Sequence, residues 1–175
     1  VLDLTVLLNA LPENYRQLGL NERDTYFAAA RGYQGEAGDV KALAMKKWFN
    51  TNYHYLVPEL FDDTEIKLVG DKPFAEYEEA KEIGVLTKPV LIGGFTFLKL
   101  AKYKGSKTIN DFADQVANAY IAILNRFNEQ GVAWVQFDEP SLVTDLSEED
   151  VALFTAIYEK VLAHKGNVKV LLQTY

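Results

Sequence analysis

Residues 45–60 run Met-Lys-Lys-Trp-Phe-Asn-Thr-Asn-Tyr-His-Tyr-Leu-Val-Pro-Glu-Leu, gathering aromatics, amides, a histidine and a lysine pair in one short stretch. Rings give flat apolar walls and amides give directional hydrogen bonds, a mixture suited to a small-molecule site. The same residues also suit a strand end with buried tyrosines and surface lysines. His54 alone says little, since a histidine inside an aromatic strand is commonly a core group satisfied by its neighbours. A second stretch carries Lys99, Lys102, Lys104 and Lys107, interleaved with Leu98, Leu100 and Tyr103. Such a basic cluster can attract a polyanion; a solvated helix end is the simpler reading. The third stretch, Val135-Gln136-Phe137-Asp138-Glu139-Pro140, puts two carboxylates at the end of an apolar run. Adjacent carboxylates suggest general acid–base work of the glycosidase kind. Neighbours on a strand point to opposite faces, however, so only one of Asp138 and Glu139 can enter a site. The alternative is a carboxylate that satisfies loop amides at the rim of a barrel.

Other chemistries are excluded by what is missing. There is no phosphate-binding G-x-x-x-x-G-K-[ST] or G-x-G-x-x-G pattern; Gly93-Gly94 follows an apolar run but lacks the rest of either. There is no G-x-S-x-G elbow and no His-Glu-x-x-His. With no cysteine, disulfides, thiolate chemistry and Cys-containing zinc sites are impossible within this chain. Histidines 54 and 164 are too few for a multi-histidine metal site.

The elements that must position these stretches follow from periodicity and punctuation. Asn21 caps a predicted helix that runs through Arg31 and closes at Gly32. A second runs from Asp71 to Ile83, before Gly84. Thr108 and Asp111 form a capping-box-like start, and Ile109, Phe112, Val116, Tyr120, Ile123 and Phe127 recur at helical spacing until Gly131. Ser147 and Asp150 start a fourth helix, with Val151, Phe154, Ile157, Tyr158 and Val161 on its apolar face and Gly166 beyond it. Strand-length runs occupy residues 53–57, 66–69, 90–92, 132–137 and 168–172. The last three are nearly continuous in apolar residues, as strands buried on both faces would be. Two strand–helix–strand units imply a parallel sheet, in a (β/α)8 barrel or a doubly wound fold. Residues 32–39, rich in glycine, read as a flexible loop.

The formal net charge of −7 disfavours nucleic acid or an anionic membrane as partner. No apolar run reaches the ~18 residues of a membrane span, and no signal peptide is evident. A cytoplasmic enzyme fits the lack of cysteine. The only methionine is Met45, and the chain closes at Tyr175 directly after a strand-like run. That predicts a segment of a longer protein, truncated at both ends.

Residues 45–60 closely resemble the K-W-F-(N/D)-T-N-Y-H-Y-x-V-P-E block of cobalamin-independent methionine synthases. Lys88 to Leu98 resembles their K-P-V-L-(I/L)-G-P-x-T-(F/W)-L block. Trp134 to Asp145 resembles W-V-Q-(I/F)-D-E-P-(A/S)-L-V-x-(D/E), and the closing residues resemble L-L-x-T-Y. The blocks keep the family's order across most of the chain. The resemblance implies that residues 1–175 are part of an N-terminal (β/α)8 TIM-type barrel with parallel strands, in a two-barrel enzyme. It implies transfer of a methyl group from a 5-methyltetrahydropteroyl polyglutamate to homocysteine, giving methionine. In the family, zinc activates the homocysteine thiol from the C-terminal barrel; no metal and no catalytic residue are expected in this chain. The one binding residue that carries over is Lys47, the family's folate-contacting lysine. Its R-x-x-L-K motif is absent, which leaves the tail site incomplete, and Gly94 stands where the family commonly has proline. Expected partners are the polyglutamyl folate, the missing C-terminal barrel and, through exposed sheet edges, a second copy. A free-standing single-barrel small-molecule binder and an unrelated barrel hydrolase using Asp138 or Glu139 remain as alternatives.

Overall fold

The computed structural model describes residues 1–175. The chain runs α1 (Leu2–Leu7), α2 (Glu13–Arg16), α3 (Glu22–Arg31), β1 (Tyr33–Gly35), β2 (Gly38–Val40), β3 (Met45–Lys47), β4 (His54–Leu56) and β5 (Glu59–Leu60). It continues through α4 (Lys72–Glu82), β6 (Val90–Ile92), α5 (Gly94–Leu100), β7 (Lys102–Tyr103), α6 (Ile109–Glu129) and β8 (Trp134–Asp138). A short 3-10 turn (Pro140–Val143), α7 (Glu148–Ala163) and β9 (Lys169–Gln173) complete it.

The four predicted helices form, three of them starting at side-chain caps. The Asn21 side chain accepts from the Asp24 N–H at 2.9 Å and starts α3. Asp111 accepts from the Thr108 N–H at 2.7 Å and from its hydroxyl at 2.8 Å, fixing the start of α6. Ser147 and Asp150 bond reciprocally at 3.2 and 3.3 Å ahead of α7. On α6 the stripe Phe112, Val116, Tyr120, Ile123 and Phe127 is fully buried. On α7 the buried face is Leu153, Ile157, Tyr158 and Val161; Val151, expected there, is 50% exposed. That is a rotation of the apolar face by part of a turn, within what a loose 3.6-residue pattern allows.

Strands β6, β8 and β9 form one parallel sheet in that order, with Leu91 opposite Phe137 and Phe137 opposite Leu172. Leu91, Val135 and Phe137 face the helices in the main core. The expectation of burial on both faces fails: Val90, Trp134 and Leu171 remain exposed on the other side. Helices α6 and α7 cover one face, and nothing in these residues covers the second. No sheet closes on itself, so the fold is α/β with an open parallel sheet and three small two-stranded sheets.

Other expectations change in detail. Of residues 53–57, His54–Leu56 form a strand, but it pairs antiparallel with β3 and stands outside the parallel sheet. Residues 66–69 are not a strand. The Lys67 and Val69 amides donate instead to the Leu8 and Leu7 carbonyls, at 3.1 and 2.9 Å. These are carbonyls at the end of α1 with no partner inside the helix. The glycine-rich stretch holds the β1–β2 hairpin, whose Gly35 pairs with Gly38. Helices α1, α2 and α5 carry no signal in the sequence; each is too short to show a helical period.

Candidate functional site

The β3–β4 hairpin carries the Trp-Phe-Asn-Thr-Asn-Tyr stretch as its connection. Its register pairs Met45 with Leu56, Lys46 with Tyr55 and Lys47 with His54. The Trp48 amide donates to the Tyr53 carbonyl at 2.7 Å and extends the ladder by one rung. Inside the turn, the Thr51 hydroxyl donates to the Trp48 carbonyl at 2.6 Å and accepts from the Tyr53 amide at 3.1 Å. Phe49 sits at φ +51 in the left-handed region, where a non-glycine residue costs on the order of 1–3 kcal/mol. Ring packing holds it there. Trp48 meets Phe49 edge-on at 5.1 Å and Tyr55 at 5.9 Å, and Phe49 meets Tyr175 at 5.7 Å. The Trp48 indole N–H donates to the Tyr175 hydroxyl at 2.5 Å. Tyr175 follows β9, so the hairpin tip is braced on the C-terminal end of the parallel sheet. In open α/β sheets and barrels that end carries the ligand sites.

Lys47 is exposed on β3, and none of the ion pairs in the structure includes it. The lysine cluster of residues 99–107 behaves differently, because its members are mostly engaged. Lys99 lies 2.8 Å from Asp150, and Lys104 lies 3.2 Å from Glu59. Lys107 donates to the Asp62 carbonyl at 2.5 Å and stands over the Phe112 ring. Asp62 in turn accepts from the Ser106 and Lys107 amides at 3.0 and 2.8 Å, which holds its carboxyl below the usual range. These lysines tie elements together and do not form a free basic patch.

The Asp138-Glu139 pair divides as strand geometry requires. Asp138 faces the open side and accepts from Gln136 Nε2 at 2.8 Å, while Gln136 accepts from Lys88. Glu139 is completely buried. Its carboxylate accepts from the Phe95 amide at 3.1 Å, the Thr96 amide at 2.7 Å and the Tyr158 hydroxyl at 2.5 Å. Burial pushes this carboxyl above its ordinary range, partly offset by hydrogen bonds from Thr96, Tyr158 and Phe95. Burial also pushes the Tyr158 phenol far up, so it stays a donor. Two of these contacts hold the start of α5, and the third ties in Tyr158 of α7. These surroundings are those of the rim carboxylate in the second reading, a group that satisfies backbone amides.

Gly93 explains how the carboxylate gets so close: a Cβ there would lie 2.0 Å from Glu139 Oε1. At Gly94 a Cβ would lie 2.6 Å from Val116 on α6. Sequence reasoning saw the glycine pair but missed Thr96 and Tyr158, which come from separate elements and carry no local signal.

His164 is exposed at the end of α7, its Nδ1 2.8 Å from the Lys160 carbonyl. No group of three His, Cys, Asp or Glu side chains converges as metal ligands would. An open cleft of about 590 Å³ beside Tyr15 has Glu13, Glu59, Asp63 and Glu65 in its lining with Arg16 as its only cation. It is electrostatically wrong for a carboxylate tail. No helix is long and apolar enough to cross a membrane.

Residues 1–175 match the family described as cobalamin-independent synthase, N-terminal domain. The chain is 55% identical over 175 residues to a 5-methyltetrahydropteroyltriglutamate–homocysteine methyltransferase of Campylobacter jejuni subsp. doylei, covering 100% of this chain and 23% of that protein. Proteins of the same name from Bifidobacterium longum subsp. infantis and Bifidobacterium animalis subsp. lactis are 55% identical over 179 and 180 residues, covering all of this chain and 23% and 24% of their own lengths. The chain thus spans about a quarter of the length of the curated relatives it matches.

Proposed function

The chain belongs to the cobalamin-independent synthase family, as its N-terminal domain, and on that premise we propose that it is part of a cytoplasmic methionine-forming methyltransferase. The enzyme moves the methyl group of 5-methyltetrahydropteroyltriglutamate to homocysteine. The observation that carries this reading is the match along all of residues 1–175 to methyltransferases so named. In the parent protein the β6–β8–β9 sheet is an arc of a (β/α)8 barrel whose other strands lie outside these residues.

Within that enzyme Lys47 contacts the glutamate tail. Its support is an exposed ammonium, uncommitted to any carboxylate of its own chain, on a hairpin braced against the C-terminal end of the sheet. A compact charge with three rotatable donors suits a flexible tail. The chain has no cysteine to offer a thiolate ligand. On the family resemblance, activation of homocysteine is assigned to the C-terminal barrel, this segment's partner in the longer protein. The test is steady-state turnover of the full-length protein carrying this segment, with triglutamate substrate and homocysteine. Methionine formation is expected; its absence with metal supplied would overturn the reading.

A further inference from the structure

We propose that Tyr175 is a positioning residue for the polyglutamyl substrate: it sets the angle of the β3–β4 hairpin against the parallel sheet, and through the hairpin the place of Lys47. The proposal rests on the reading of Lys47 as a tail contact and adds a distant residue on which that contact depends.

The hairpin cannot fix Lys47 by itself. Its strands are three residues each, and a two-stranded hairpin is marginal in isolation. Every residue of β3 is exposed, so no burial beneath Lys47 holds its strand. Orientation is therefore decided at the two ends of the hairpin. At the base, Leu56 packs against the smaller core cluster that holds Leu43 and Tyr15, and the Leu43 amide donates to the Ala29 carbonyl at 2.9 Å. A one-residue slip would pull Leu56 out of that packing, which fixes the register. At the tip, Trp48, the neighbour of Lys47, donates to the Tyr175 hydroxyl at 2.5 Å, and Phe49 meets the Tyr175 ring at 5.7 Å. No other hydrogen bond or ring contact joins residues 48–53 to the chain outside the hairpin.

Tyr175 is well placed to act as the anchor. It lies two residues beyond Gln173, the last residue of β9, which is registered with Asp138 and accepts from the Glu139 amide at 2.8 Å. The Tyr175 side chain is 65% exposed, so its contacts with Trp48 and Phe49 are not a by-product of core packing. The base of the hairpin thus belongs to the smaller cluster and its tip to the main sheet, and the span between them carries Lys47. Holding that span before the ligand arrives lowers the ordering cost of binding. A tail contact is made equally in ground and transition states, so the brace acts on KM and leaves kcat alone.

The experiment uses the full-length synthase carrying this segment, with Tyr175→Phe and Tyr175→Leu, each alone and together with Lys47→Ala. Steady-state KM and kcat are measured with 5-methyltetrahydropteroyltriglutamate. Tyr175→Phe, which keeps the ring, should raise KM roughly threefold. Tyr175→Leu, which loses ring and hydroxyl, should approach the effect of Lys47→Ala, and kcat should hold in both. With Lys47 already replaced, neither change should raise KM further, because the residues act as one unit. A fall in kcat with KM unmoved would make Tyr175 a stability residue only and overturn the proposal. So would a rise in KM as large without Lys47 as with it, or an unmoved KM in Tyr175→Leu while Lys47→Ala raises it; in both cases the Lys47 reading stands. If Lys47→Ala itself leaves KM unmoved, the Lys47 reading fails and the proposal goes with it.

Discussion

Trp48 donates its indole N–H to the Tyr175 hydroxyl across 2.5 Å, joining the hairpin tip to the chain just beyond β9. The two residues frame Phe49, whose left-handed backbone needs such support. Tyr175→Phe keeps the ring and removes the hydrogen bond. It should cost about 1 kcal/mol, a drop of roughly 2–4 °C in Tm, and speed amide exchange within residues 48–53. Unchanged exchange there would show that the brace is the ring packing alone.

Lys47→Ala in the full-length enzyme should raise KM for the triglutamate about tenfold, the equivalent of ~1.4 kcal/mol. The kcat should hardly move, because a tail contact is made equally in ground and transition states. Lys46→Ala should do less, since it projects from the opposite face. Added salt should narrow the difference for so exposed a contact. Equal, small effects of both changes on mono- and triglutamate would make Lys47 a solvated charge only.

Glu139 holds two amides and a phenol inside the protein. Glu139→Ala strands those donors and should cost at least about 3 kcal/mol, read by urea unfolding. Glu139→Gln should cost less, because one oxygen acceptor remains while the other becomes a donor facing donors. The folded carboxyl lies above its ordinary value of 4.5. Its contribution is therefore full below 4.5 and is lost as pH rises through the raised value. The stability advantage of the native protein over Glu139→Gln should shrink with rising pH; an advantage that grows would reverse the assignment.

Asp62 clasps the loop of Gly105, Ser106 and Lys107, and a Cβ on Gly105 would lie 2.2 Å from its Oδ1. Its carboxyl is held low by the Ser106 and Lys107 amides. That contribution is present above the ordinary aspartate value and disappears as pH falls through the lowered one. Asp62→Asn should flatten the acid limb of the unfolding profile. Gly105→Ala should mimic it at neutral pH, and a profile identical to the native protein for both variants would remove the clasp from the account.

The outer edges of β6 and β9 are unpaired in the parallel sheet, and the face bearing Trp134 and Leu171 is open. Exposed edges and apolar faces recruit other chains. Residues 1–175 alone should self-associate as concentration rises, measured by light scattering on a sizing column. A strictly monomeric protein up to high micromolar concentrations would argue that edge and face are adequately protected.

Much was legible in the sequence because it is decided locally. Asn21, Thr108 with Asp111, and Ser147 with Asp150 mark helix starts because a side chain three residues away satisfies an otherwise orphaned backbone group. The α6 stripe is legible because twenty-one residues sample the helical period several times. The ordered Lys-Trp-Phe, Lys-Pro-Val and Trp-Val-Gln blocks identify the family on residue identity alone. What the sequence could not decide depends on contacts between distant residues. Whether residues 53–57 join the parallel sheet or a hairpin depends on which edge is free, and residues 66–69 lost their strand to the end of α1. The apolar runs of β6, β8 and β9 look alike on both faces, and only the placement of α6 and α7 decides which face is covered. Glu139 and Asp138 are chemically equivalent as letters. Tertiary structure sends one into a cage of donors from α5 and α7 and leaves the other at the open face. His54 gained its place beside Lys47 in the same way, from a register anchored by the packing of Leu56.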